Sequence, residues 1–182
     1  MNIFLIGYRC TGKTTVGRSL AKRLERFFFD TDVELVKEQG VNISDIVDQR
    51  GWTAFREIEK QVIQRTCERD NQVVATGGGV VLDEDNVKRM KDSGVLVWLR
   101  ADIDTIEKRI IEDNTTRDFR PSLTSKGSVE EIQETLLSRN PLYERAMDFF
   151  VDTDFMDIDM VCDTIIQKIK GTEYKNNIGL TK

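Results

Sequence analysis

Residues 2 to 20 read NIFLIGYRCTGKTTVGRSL, where four apolar residues, Ile3 to Ile6, run straight into Gly7-x4-Gly12-Lys13-Thr14 and then into a helical pattern. No other stretch limits the fold so tightly. A strand that ends in such a loop and opens a helix is the context that a phosphate-binding loop requires. Each residue type has a chemical reason: glycines let successive N–H groups turn inward onto phosphate oxygens, and the helix N-terminus adds about half a positive charge. The expected nucleotide contacts are therefore Gly7, Arg9, Cys10, Thr11, Gly12, Lys13, Thr14 and Thr15. Lys13 is expected to reach the β- and γ-phosphates, and the Thr14 hydroxyl to ligate Mg²⁺. The competing reading is a tight strand–helix turn with an incidental lysine.

The rest of the chain supports a layered α/β fold. Short apolar runs recur at Phe27 to Phe29, Val73 to Ala75, Val95 to Leu99 and Phe149 to Val151. They are continuous where a half-exposed strand would alternate, so they read as strands buried on both faces. Helical patterns lie between them: residues 13 to 26 carry Val16, Leu20 and Leu24 at four-residue spacing, and residues 53 to 69 carry Phe55, Ile58, Val62 and Ile63 on one stripe. Ser44 or Asn42 can cap a helix before Gly51, and Ser128 with Glu131 makes a capping box for a helix through Arg139. Strands alternating with helices predict a parallel sheet covered on both faces. With 182 residues there is room for one domain with a full core. From Gly171 onward the apolar periodicity stops, which predicts a flexible tail.

Composition narrows the chemistry. The chain contains no histidine, which excludes any mechanism built on an imidazole base or ligand. Cys10, Cys67 and Cys162 are odd in number and widely spaced, so reduced thiols are expected and no zinc pattern is formed. A formal net charge of -5 offers no general attraction to nucleic acid or to a membrane surface. The first apolar run is too short for a signal peptide or a membrane span, and a cytoplasmic protein is expected. No obvious apolar seam is present, which favours a monomer.

A phosphate donor needs an acceptor, and several polar motifs are candidates to bind one. In FFFDTDVELV, Asp30 and Asp32 are two residues apart. In an extended segment both would share a face and could point into the crevice at the C-terminal edge of the sheet. Asp30, nearer the strand, suits the hydration shell of Mg²⁺, and Asp32 suits an acceptor hydroxyl; a solvated acidic turn is the plain alternative. Arg56, in WTAFREIEKQ, lies off the apolar stripe of its helix. Gly77, Gly78 and Gly79 follow a strand directly, are costly to order, and suggest a ligand pressed against backbone. The polar stretch DNTTRDFRPSLTSKG, with Arg117 and Arg120, has the composition of a lid, and Arg139 is expected where a helix ends.

Taken in order, GYRCTGKTT, DTD, FREIE, GGG, RPSL and RNPLYERA, with VDT before the last helix, resemble the shikimate kinases over about residues 1 to 170. The resemblance implies a nucleoside-monophosphate-kinase-like fold, with a five-stranded parallel sheet and helices on both faces. It implies one kinase domain over residues 1–170, with an acceptor-binding region at about 31–60 and a lid at about 113–125. The implied reaction is transfer of the ATP γ-phosphate, with Mg²⁺, to the 3-hydroxyl of shikimate in aromatic amino-acid synthesis. By the same resemblance Asp32 binds the shikimate hydroxyls and accepts the proton, with Asp30 as its magnesium-side neighbour. Arg56 and Arg139 grip the carboxylate, Gly77 to Gly79 line the acceptor pocket, and Arg120 closes on the phosphates.

Two positions depart from the family pattern. Asp113 stands where a lid arginine often stacks on adenine, which leaves Arg117 or Arg109 for that contact, and Ser122 stands where many members have leucine. Two other classes compete. A gluconate or nucleoside-monophosphate kinase would share the loop and lid but would not need DTD, FREIE and RNPLYERA together. A GTP-driven switch finds one weak match, Asp48-Gln-Arg-Gly51, without an Asn-Lys-x-Asp guanine motif.

Overall fold

The computed structural model describes residues 1–112 and 128–178. Its centre is a sheet of five parallel strands, β1 (Asn2–Ile6), β2 (Phe27–Asp30), β3 (Gln72–Ala75), β4 (Gly94–Arg100) and β5 (Phe149–Asp152), in the order β2-β3-β1-β4-β5. Every apolar run expected as a strand is one, but β2, at the edge of the sheet, is not buried on both faces as expected, and Phe27 is exposed. The continuous pattern has a direct cause. Ile3 and Leu5 enter one core with Val16 and Leu20 of α1 (Lys13–Arg23) and Val161 and Ile165 of α7 (Ile158–Ile178). Phe4 and Ile6 enter the other, with Ile63, Met90 and Tyr143, which belong to α3 (Ile43–Cys67), α4 (Glu84–Ser93) and α6 (Ser128–Ala146). With both faces of β1 covered, Ile3 to Ile6 are apolar without a break, and buried Asn2 at its start is satisfied by the Arg69 carbonyl and the Gln72 N–H.

Two smaller clusters position the loops at the C-terminal sheet edge. Leu35 of α2 (Thr31–Gln39) packs with Ile43, Ile46, Phe55 and Val62 of α3. Tyr8 packs with Ala101, Ile106 of α5 (Ile103–Glu112) and Ile132 of α6. The first cluster holds α2 and α3 over the end of β2, and the second ties the loop after β1 to the start of α6.

The helices differ from expectation in three places. Asn42 occupies the cap position of α3 without a side-chain hydrogen bond, and α3 runs from Ile43 to Cys67 with a break at Gly51, where φ is 78° and ψ 168°. Helix α6 does not end at Arg139 but continues through Pro141 to Ala146. Proline there removes one helical hydrogen bond, yet Tyr143 and Ala146 beyond it are fully buried, and their packing holds the extra turns. Helix α7 likewise crosses Gly171 and reaches Ile178. Cys10, Cys67 and Cys162 form no disulfide. Among the described residues no helix is long and apolar enough to cross a membrane.

Candidate active site

The loop between β1 and α1 has the form its glycines require. Gly7 has φ 137°, and a Cβ there would strike the Leu99 carbonyl oxygen. Gly12, at φ 92°, is the left-handed cap from which α1 starts, and the first turn of α1 carries no acidic residue. The helix N-terminus is therefore open to an anion. Lys13 is 6% exposed, and its Nζ donates to the carbonyl oxygens of Gly7 at 2.8 Å and Tyr8 at 2.5 Å. Thr11 Oγ1 also donates to Tyr8 O, at 2.9 Å. The lysine thus lies folded over the loop whose N–H groups would receive phosphate.

Thr14 and Asp30 meet at the mouth of this loop, where Thr14 Oγ1 donates to Asp30 Oδ2 at 2.8 Å. Asp30 ends β2 and caps α2, its Oδ1 accepting from the N–H groups of Asp32 at 3.1 Å and Val33 at 3.3 Å. This corrects one sequence argument: Asp32 belongs to the first turn of a helix, so the period-two face of an extended segment does not apply to the pair. The two carboxylates separate by task, Asp30 facing Thr14 and Asp32 lining a cleft.

That cleft lies beside the phosphate loop. Its charged walls are Asp32 from α2, Arg56 and Glu59 from α3, Arg139 from α6 and Arg9 from the loop itself. Tyr8, Ile43, Trp52 and Phe55 supply apolar surface, and Gly77, Gly78 and Gly79 form the floor. Two of the three glycines make room for the chain's own side chains. A Cβ on Gly77 would lie 2.7 Å from Glu59 Oε1 and 2.8 Å from Asp32 Oδ1, and one on Gly79 would collide with the Arg56 guanidinium. Gly78 touches the phosphate loop, 3.4 Å from Gly7 O and 3.5 Å from Arg9 N when given a Cβ. Its carbonyl accepts from Tyr143 Oη at 2.5 Å and from Arg139 Nη1 at 3.2 Å.

The three arginines differ in how they are neutralised. Arg56 Nη1 donates to Glu59 Oε2 at 2.6 Å, and Arg9 Nη2 donates to Glu131 Oε1 at 2.5 Å. Among the described residues Arg139 meets no carboxylate. Burial pushes the Glu59 carboxyl above its ordinary range, against the pull of Arg56 in the opposite direction, and Glu59 Oε1 has no hydrogen-bond partner. Tyr143, fully buried and stacked on Trp98, is raised far above the usual phenol value by burial, so it stays protonated and keeps its O–H for the Gly78 carbonyl.

A second groove runs along the other side of the loop, where Cys10, Thr11, Gly12 and Thr15 face Thr153, Met156 and Ile158. Arg109, named from the sequence only as an alternative, stands in its wall and donates to Cys10 O at 3.3 Å, Thr153 Oγ1 at 3.0 Å and Thr153 O at 2.7 Å. Arg117, Arg120 and the expected lid lie outside the described residues. Glu59, Glu131, Tyr8 and Tyr143 were not singled out from the sequence as site residues. For Glu59 a signal existed, three residues after Arg56 on one helix face; for Glu131 and Tyr143 only the packing of α6 against the loops brings them in.

A phosphate loop on a parallel sheet, flanked by one groove along its outer side and by a cleft of paired arginines and carboxylates on the other, defines a small-molecule kinase of the P-loop class. A sequence model of the shikimate kinases matches residues 9–170, and the chain belongs to the shikimate kinase family. A shikimate kinase of Syntrophus aciditrophicus is 40% identical over 181 residues, spanning 95% of this chain and 93% of that one. One of Thermodesulfovibrio yellowstonii is 42% identical over 167 residues, 92% and 94% of the two chains. The shikimate kinase of Acinetobacter baumannii, solved in complex with shikimate, superposes with a TM-score of 0.87 at 30% identity, over 94% of this chain and 93% of that one.

Proposed function

We propose that the chain transfers the γ-phosphoryl group of ATP to the 3-hydroxyl of shikimate, in aromatic amino-acid biosynthesis, with the nucleotide on the loop and shikimate in the arginine-lined cleft. The observation that carries this reading is the charge layout of the cleft. Arg56 and Arg9 are each matched by a buried carboxylate, while Arg139 forms no salt bridge among the described residues and bonds the Gly78 carbonyl and the Tyr143 side chain. One forked cation is therefore in reserve for an acceptor carboxylate, beside the acidic Asp32 for hydroxyls. A small hydroxylated acid fits that set; a neutral sugar would leave Arg139 without a counter-charge.

In the reaction the acceptor oxygen bonds to the γ-phosphorus and its proton passes to Asp32. The bond from phosphorus to the β–γ bridging oxygen breaks, and ADP keeps the electron pair. Positioning and neutralisation of charge dominate such a step. Lys13 exchanges two carbonyl partners for phosphate oxygens, so its ammonium stays solvated by the protein throughout. The loop residues Gly7, Arg9, Cys10, Thr11, Gly12, Thr14 and Thr15 bind the phosphates, largely through backbone N–H groups. Mg²⁺ neutralises the phosphates when bound. Thr14 would hold it directly and Asp30 through water, since a hydroxyl and a carboxylate 2.8 Å apart are the hard oxygen donors it takes. Arg120 keeps the phosphate role implied by the family pattern, and Arg117 is one of two candidates for the adenine contact where Asp113 departs from it. Arg109, at the wall of the outer groove, supports the adenine-side alternative. The finer terms of the reading are one kinase domain over residues 1–170 with its acceptor region at 31–60, a cytoplasmic location and a monomer.

The test is ADP release with ATP and Mg²⁺, offering shikimate, gluconate and AMP separately, with Lys13→Ala as control. Release with shikimate alone, and loss of it in the control, is the expected result. Release with gluconate or AMP instead would overturn the acceptor assignment.

A further inference from the structure

The Gly78 carbonyl, on the floor of the acceptor cleft, has two partners on one face of α6 that differ in what they can do. Tyr143 Oη donates to it at 2.5 Å and Arg139 Nη1 at 3.2 Å. Four residues apart on a helix, the two side chains lie one above the other, and Arg139 also hydrogen-bonds the tyrosine side chain. Tyr143 cannot leave: it is fully buried and stacked on Trp98, with ring centres 5.6 Å apart and planes 28° from parallel. Arg139 is only half-buried and lines the cleft where the acceptor carboxylate is to be held. A backbone carbonyl has two lone pairs, so it takes both donors at once.

We infer that Tyr143 is a positioning residue whose hydroxyl keeps the Gly78 carbonyl paired while Arg139 turns to the acceptor carboxylate. The inference rests on the proposed reaction, in which Arg139 grips that group. Without the hydroxyl, Arg139 is the one remaining side-chain donor to this carbonyl among the described residues. Drawing it onto the acceptor then leaves the carbonyl unpaired in the bound state alone, and acceptor binding weakens by that cost. Two structural readings compete. If Tyr143 only fills the core, phenylalanine replaces it with no effect on either substrate. If its hydroxyl pins the glycine floor for the phosphate loop as well, which Gly78 adjoins at Gly7 and Arg9, both substrates suffer alike.

The experiment is steady-state kinetics of the wild type, Tyr143→Phe, Arg139→Met and the double variant, with shikimate and ATP varied in turn. Phenylalanine keeps the ring on Trp98, so the core is retained, and the nucleotide-induced melting shift checks the fold of each variant. Tyr143→Phe is expected to lower kcat/KM for shikimate by about tenfold, the ratio that 1.4 kcal/mol sets, through a higher shikimate KM, while the ATP KM stays near that of the wild type. In the Arg139→Met background there is no guanidinium to release, and the carbonyl has the same partners with and without acceptor. The same substitution is expected there to change kcat/KM for shikimate by less than about twofold. An unchanged shikimate KM in Tyr143→Phe overturns the inference, and so does a parallel rise in the ATP KM. Equal losses in both backgrounds overturn it too, because the hydroxyl then acts without Arg139. Wild-type turnover with shikimate reports on the proposed function, and the ratios between variants report on Tyr143, so the two can fail separately.

Discussion

Lys13 lies over the phosphate loop while Asp32, Arg56 and Arg139 line the cleft beside it, and each should fail differently when removed. Lys13→Ala takes away the side chain that trades the Gly7 and Tyr8 carbonyls for phosphate, and the turnover number should fall by orders of magnitude. For Asp32→Asn a loss of about 10²- to 10⁴-fold in turnover is expected of a general base, and an unchanged turnover number would remove it from that role. Arg56→Ala should raise the shikimate KM chiefly, as loss of a ground-state clamp does. Glu59 makes a pH forecast. Its folded-state pKa is raised, burial being the main cause, so the stability it contributes is full below the ordinary carboxylate value and is lost as pH rises through the folded value. Thermal melting from about pH 4 upward should show that loss in the wild type, and Glu59→Gln should flatten it; equal slopes would contradict the shift. At this scale Asp32 and Arg56 were legible as motif members, because their neighbours in sequence set them apart. Glu131 was not, since its partner Arg9 lies 122 residues away along the chain.

Two elements carry strain or capping that can be measured. Gly51 breaks α3 at φ 78° and ψ 168°, a region open essentially to glycine alone, and a Cβ there would meet nothing within 4 Å. Gly51→Ala should therefore cost about 1–3 kcal/mol from backbone strain alone, read from urea unfolding. A cost near zero would mean that the kink relaxes. Asp30 caps α2 with one oxygen and meets Thr14 with the other. Asp30→Ala should lower stability by about 0.5–2 kcal/mol through the lost cap, and should also raise the Mg²⁺ concentration needed for activity. The ends of elements were the least legible part of the chain. Proline 141 and the polar RN before it read as a stop, yet α6 continues because Tyr143 is buried against Trp98 and the Gly78 carbonyl. Burial gained across the sheet outweighs one missing helical hydrogen bond.

Over the whole molecule, ligands that bind only the folded state stabilise it by mass action, about 2.7 kcal/mol at a hundred times Kd. ATP with Mg²⁺ and shikimate should each raise the melting temperature of the wild type. Arg139→Met should abolish the shikimate shift and keep the nucleotide shift, and loss of both would mean that Arg139 holds α6 rather than the acceptor. The sequence by itself determined the sheet and the phosphate loop, because a strand buried on both faces runs apolar without a break and a loop that wraps phosphate must carry glycine at fixed spacing. It also determined the family, through motifs whose order survives in any register of the fold. Only the tertiary structure decided which charges remain available in the cleft. Pairing of Arg9 with Glu131 and Arg56 with Glu59, against the carbonyl contact of Arg139, depends on how α3, α6 and the loops close on one another, and side-chain electrostatics at 2.5 to 3.2 Å cannot be read from spacing along a chain.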